Sequence, residues 1–126
     1  MINIERQIEH WRQGSHEEWL VAQELIANKR VRQGLFWAHI TLEKILKALL
    51  CKQTQDLAPR IHNLVRLAEL ARVPLTQEQV KFLTKVNNYN ILGRYPEHDL
   101  PIPNFSEALA VMQQVGEMFA WLNGML

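Results

Sequence analysis

The densest group of chemically capable side chains in this chain lies between residues 87 and 99, in the stretch NNYNILGRYPEHD. Arg94 offers a planar five-donor fork suited to a phosphate. His98, with an ordinary pKa near ~6.5, can give or take a proton at neutral pH. An Arg and a His one turn apart suffice in kind for metal-free RNA cleavage. The imidazole would handle the proton of the 2′-hydroxyl or of the leaving group, and the guanidinium would hold charge developing on the phosphate. The plainer alternative is that Arg94 caps carbonyls at a helix end while His98 lies in solvent.

Other candidates are weaker. His39, Glu43 and Lys47 recur at i, i+4 and i+8 with Lys44 beside them, and a Glu–Lys pair at that spacing is read as a solvated helix face contributing about 0.2–0.5 kcal/mol. The five glycines are scattered, and neither a P-loop nor a GxGxxG motif occurs. His10 and His16 are six apart, and no HExxH or repeated Glu-x-x-His is present, so no metal site is expected. The single cysteine, Cys51, reads as a small, partly buried residue. Trp11, Trp19, Trp37 and Trp121 fall at helical spacing, where Trp usually serves a core or an interface. Trp37 lies beside the main apolar stripe and is the one most suited to an interface.

Around these residues the chain has the dimensions of one domain, 1–126. It is 48% hydrophobic and 21% charged, a globular rather than disordered composition. Fourteen Lys and Arg against thirteen Asp and Glu give +1, so any nucleotide contact must come from a local patch, not a global field. One cysteine excludes an internal disulfide and fits a reducing compartment. The polar start MINIERQIEHW is unlike a signal peptide, and no run approaches the roughly 18 apolar residues of a membrane span. A cytoplasmic location is expected.

The elements that must position the chemistry are helical. Ile4, Ile8, Trp11, Trp19, Ala22 and Ile26 make a stripe that needs Ser15 on the same face. Ser15 with Glu18 also resembles a capping box, so residues 4–28 form either one helix with a weak spot or a lead-in and a helix from Ser15. One helix is the reading adopted. The run from Gly34 carries Leu35, Ala38, Leu42, Ile45 and Leu49, widened by Phe36, Ile40, Leu46 and Leu50, an arc broad enough for a central helix touched on two sides. A loop follows, then a short helix opening near His62-Asn63 and carrying Leu64, Leu67, Ala68 and Ala71. Thr76 with Gln79 predicts the start of a fourth helix whose buried face is Phe82, Leu83, Val86 and Tyr89 and which ends near Gly93. Pro96, Pro101 and Pro103 prevent its continuation. Asn104 with Glu107 opens a fifth helix running through Phe105, Ala108, Leu109, Met112, Val115, Phe119 and Leu122. The pattern predicts an all-α, antiparallel up-and-down bundle of five helices, the third short.

Several of these segments together resemble the HEPN domains (higher eukaryotes and prokaryotes nucleotide-binding). The signposts are the Trp-containing first helix, FWAHITLEKILKALL in the second, the His opening the third in IHNLVRLAELA, and Tyr89 followed by Gly93-Arg94-Tyr95-Pro96. His39 and Thr41 depart from the small or amide residues that usually precede the Glu-Lys pair. The resemblance implies a helical bundle that dimerises and, in its Arg-Tyr-Pro branch, often partners a minimal nucleotidyltransferase in a toxin–antitoxin system. No cofactor is expected. Nucleotide or RNA phosphate would be held by Arg94 and Tyr95, with Lys44, Lys47, Glu43 and Tyr89 contributing. Some relatives are metal-independent RNases whose Arg and His are separated by four to six residues. Arg94 and His98 would take those roles here, but only three residues separate them and one is Pro96. The binding function therefore ranks first and the RNase second.

Overall fold

In the computed structural model, which describes residues 1–95 and 101–126, the polypeptide forms five helices. Helix α1 spans Ile4–Ala27, α2 Val31–Thr54, α3 Leu64–Leu70, α4 Gln77–Arg94 and α5 Phe105–Asn123. No strand occurs among the described residues, so the expected all-α bundle with a short third helix is what forms.

Most of the boundaries follow from local hydrogen bonding. Asn3, Asn63, Thr76 and Asn104 cap α1, α3, α4 and α5 by accepting a main-chain N–H three residues on. At Thr76 both halves of the expected capping box are present: the Gln79 N–H donates to the Thr76 hydroxyl at 3.1 Å, and Gln79 Oε1 accepts the Thr76 N–H at 2.8 Å. At Ser15 the competing signal loses. Helix α1 runs through it, Ser15 is fully buried on the apolar stripe, and its hydroxyl donates to the Arg12 carbonyl at 2.6 Å. The neighbouring Gly14 marks a close approach rather than a break. A Cβ there would lie 3.1 Å from Lys44 Cδ, on the path by which Lys44 crosses α1 to meet Glu18.

Helix α2 is the axis of the molecule. The other four helices pack on it. Leu35, Leu42, Ile45, Leu46 and Leu49 join Leu64, Leu67, Leu83, Val86, Val111, Val115 and Leu122 in one continuous core. Burial extends right round α2, beyond the two-sided contact read from its apolar arc: His39, Thr41, Glu43 and Lys47 are buried as well. At the far end of α4, a Cβ on Gly93 would collide with the Phe36 ring, so this glycine lets the last turn of α4 lie directly against α2.

No helix among the described residues is long and apolar enough to cross a membrane.

Candidate functional site

The polar strip of α2 is not solvated. His39 is 0% exposed, and Glu43 and Lys47 are each 5% exposed. The reading as a solvent-facing ion pair is therefore corrected, because three other elements cover the strip. From α1, Trp11 lies under the Lys47 ammonium, 5.1 Å from nitrogen to ring centroid. The segment before α3 brings His62, whose Nδ1 is 2.9 Å from Glu43 Oε1. From α4, Asn90 reaches His39. The other Glu43 oxygen accepts from Lys47 Nζ at 3.2 Å, so both carboxylate oxygens are engaged. Buried charges of this kind are tolerated only when fully paired.

A relay leads from this cluster to the surface. Arg94 Nε donates to Asn90 Oδ1 at 3.1 Å, and Asn90 Nδ2 lies 3.4 Å from His39 Nδ1. The arginine contact fixes which end of the Asn90 amide faces His39, since a guanidinium can only donate. The amide therefore donates to Nδ1, and the proton of a neutral His39 sits on Nε2. Burial pushes the His39 pKa down to about 4, against the opposing effects of the Glu43 carboxylate, the His62 main chain and the Asn87 side chain. The ring is neutral at pH 7. Its Nε2 is buried and makes no hydrogen bond of good geometry among the described residues.

At the outer end of the relay stands Arg94, the last residue of α4, exposed to solvent. Its guanidinium carbon is 5.4 Å from the Phe36 ring centroid. With Nε held by Asn90 and one face against Phe36, its terminal N–H groups make no hydrogen bond among the described residues. The alternative duty, capping carbonyls at the helix end, falls instead to Arg32, whose Nη1 donates to the Leu92 carbonyl at 3.4 Å. Arg32 and Arg94 thus bring two guanidinium groups to one corner, the end of α4, with donors that are not taken up among the described residues, an arrangement suited to an anion.

The other expected site residues are placed unequally. Tyr95 follows Arg94 directly, is 50% exposed and donates its main-chain N–H to Ile91. Lys44 is tied to Glu18 at 2.9 Å. Glu43 and Lys47 lie within the relay's buried base rather than at the surface. Tyr89 lies five residues before Arg94, roughly 140° away around the helix. It lines a separate concavity of about 320 Å³ with Lys85 and Glu107. Burial, then the Glu107 charge, raises its phenol pKa, and the hydroxyl makes no hydrogen bond among the described residues. Pro96 and His98 lie outside the described residues. Among the described residues no three His, Cys, Asp or Glu side chains converge as a metal would need. Cys51 is buried, and that burial raises its thiol pKa.

Sequence reasoning missed Arg32, Asn87 and Asn90, and gave His62 no role beyond opening α3. The one available signal was Asn90 at i−4 from Arg94.

Fold and site together define a helical bundle with a buried polar spine that ends in an exposed, immobilised arginine. The HEPN domain family model matches residues 8–125, and the chain belongs to that family. Comparison with curated protein sequences gives no match. Among solved structures, the chain is similar to TT1696 from Thermus thermophilus, with a TM-score of 0.78 and 19% identity over 95% of this chain and 98% of that one. At that identity the likeness concerns the fold.

Proposed function

We propose that this HEPN domain binds the phosphate of a nucleotide or RNA at Arg94. The observation that carries this reading is the held guanidinium, whose terminal N–H groups make no hydrogen bond among the described residues. Asn90 and Phe36 fix its orientation in advance, so a phosphate need not immobilise a long side chain. Arg32 adds positive charge at the same corner, and Tyr95 offers an exposed ring beside it. Glu43, Lys47 and Lys44 serve as a paired foundation rather than as direct ligands, while Tyr89 faces elsewhere. In this reading the domain acts as a homodimer that pairs with a minimal nucleotidyltransferase in a toxin–antitoxin arrangement, as the family membership suggests. The RNase alternative needs His98, outside the described residues, and is not carried further.

Calorimetry with pyrophosphate, ATP, GTP and a short RNA tests the site. Binding is expected to weaken at least about tenfold in Arg94→Ala, the loss typical of a charge-assisted contact. Absence of heat with every probe, or unchanged affinity in the variant, would overturn the assignment. Light scattering on the pure protein at micromolar concentration should give the mass of a dimer, and co-purification with the candidate partner tests the pairing.

A further inference from the structure

Away from Arg94, two concavities follow one another between α4 and α5. The first, of about 250 Å³, is lined by Glu78, Phe82, Glu117, Met118 and Trp121, so the start of α4 lies beside the end of α5. The second sets Lys85, Tyr89 and Leu92 beside Glu107 at the start of α5. The two helices are therefore antiparallel. On α4 the lining residues Glu78, Phe82, Lys85, Tyr89 and Leu92 recur every three or four positions, and on α5 Gln114, Met118 and Trp121 do the same. That is the spacing at which helices present a seam of holes to another helix. From Glu78 to Leu92 the seam is about 21 Å long, at ~1.5 Å per residue.

The first concavity has an apolar floor that the bundle leaves partly open. Trp121 is 37% exposed although Leu122 beside it is fully buried, and Phe82 is only partly buried. A part-exposed indole in a concavity is the kind of side chain that anchors interfaces. The rim is acidic. Glu78 and Glu117 line it from opposite helices, and no Lys or Arg does. Helix α5 contains neither Lys nor Arg. Among the described residues, neither Glu107 nor Glu117 forms an ion pair. Lys81 lies 3.7 Å from Glu78, but both are well exposed, where such a pair contributes little. On a chain of net charge +1, this is a local negative strip beside apolar holes.

Charge decides between occupants. A second copy is disfavoured, because isologous pairing sets the end bearing Glu78 and Glu117 against itself or against the end bearing Glu107. A helix with basic flanks meets no such opposition. Its apolar side chains would fill the holes beside Phe82, Met118 and Trp121. An Arg or Lys at its edge would reach Glu117 and the indole face together, joining an ion pair to a cation–π contact.

We infer that the α4–α5 furrow docks an amphipathic helix of another protein, apolar on one side and lined with Arg or Lys along the edges of that side. Docking there is independent of the phosphate site, and it leaves the proposed homodimer to a different face.

The probe is a helical peptide of about 15 residues, matched to the seam, with leucine at every third or fourth position and arginines flanking them. Fluorescence anisotropy on the intact protein compares it with the same peptide carrying glutamates instead. The arginine peptide should bind at least about tenfold more tightly, and Trp121→Ala should weaken it by at least about tenfold. Glu117→Lys, at an exposed position of α5, should narrow the preference to below about threefold. Circular dichroism verifies folding, and Glu117→Lys alone decides should Trp121→Ala unfold. No binding of the arginine peptide, equal binding of the two peptides, or a preference unmoved by Glu117→Lys overturns the inference. A dimer in light scattering that Trp121→Ala dissociates assigns the face to a second copy and overturns it as well. The readout does not involve Arg94, so failure here leaves pyrophosphate binding standing, and failure of pyrophosphate to bind leaves the furrow standing.

Discussion

Leu42 and Glu43 are neighbours on α2, 0% and 5% exposed, and they enter the interior on opposite terms. Leu42 belongs to a continuous apolar core drawn from all five helices, where burial itself is favourable. Glu43 is in the interior only because Lys47 and His62 occupy its two oxygens. On the apolar side no residue needs a particular partner atom, because burial of hydrocarbon is non-directional. The polar side is held by partners from three different elements, and each must be present. This difference shows where the domain gives up stability for placement: the polar side leads, through His39 and Asn90, to the arginine that faces solvent.

The comparison breaks most sharply at Glu43. Glu43→Ala should destabilise the fold by about 3–5 kcal/mol, because Lys47 is left buried without a counter-charge. Replacing both residues, Glu43→Leu with Lys47→Met, should restore most of that loss in urea unfolding. A double variant as unstable as the single would mean the pair contributes net stability of its own. Leu42→Ala should cost about 2–5 kcal/mol through a cavity, with no rescue by a partner change.

The third effect depends on pH. His39 has a folded pKa of about 4, below the ordinary value of 6.5, so the unfolded chain binds its proton more readily. The stability this neutral ring contributes is fully present above pH 6.5 and is lost as the pH falls toward 4, a change on the order of 3 kcal/mol. His39→Leu should flatten that stretch of the stability profile, and an unchanged slope would mean other groups carry it. Smallest is the cap of α3. Asn63→Ala should cost about 1 kcal/mol by removing the acceptor for the Arg66 N–H.

Much of the fold was legible because it depends on local pattern. The box at Thr76, the cap at Asn104 and the apolar stripe of α2 are set by residues within a turn or two of each other. The fate of the His39–Glu43–Lys47 strip was not legible for the opposite reason. A Glu–Lys pair at i, i+4 looks the same in solvent as under a covering layer, and here the cover comes from Trp11, His62 and Asn90, far apart in the chain. Arg94 stood out by its chemistry alone. Its support did not, because asparagine within a helix usually signals little, and Phe36 lies 58 positions upstream. The continuity of α1 through Ser15 was legible from its apolar stripe, whereas the reason for the neighbouring Gly14, the crossing of Lys44, was not.

The contact between Gly93 and Phe36 makes docking of the α4 tail and display of Arg94 a single mechanical unit. Even one methyl group at position 93 would act as a wedge, prising the last turn of α4 from α2 and carrying the guanidinium out of register with Asn90. A change at a position that touches no ligand would thus silence the basic corner while the rest of the bundle stays assembled.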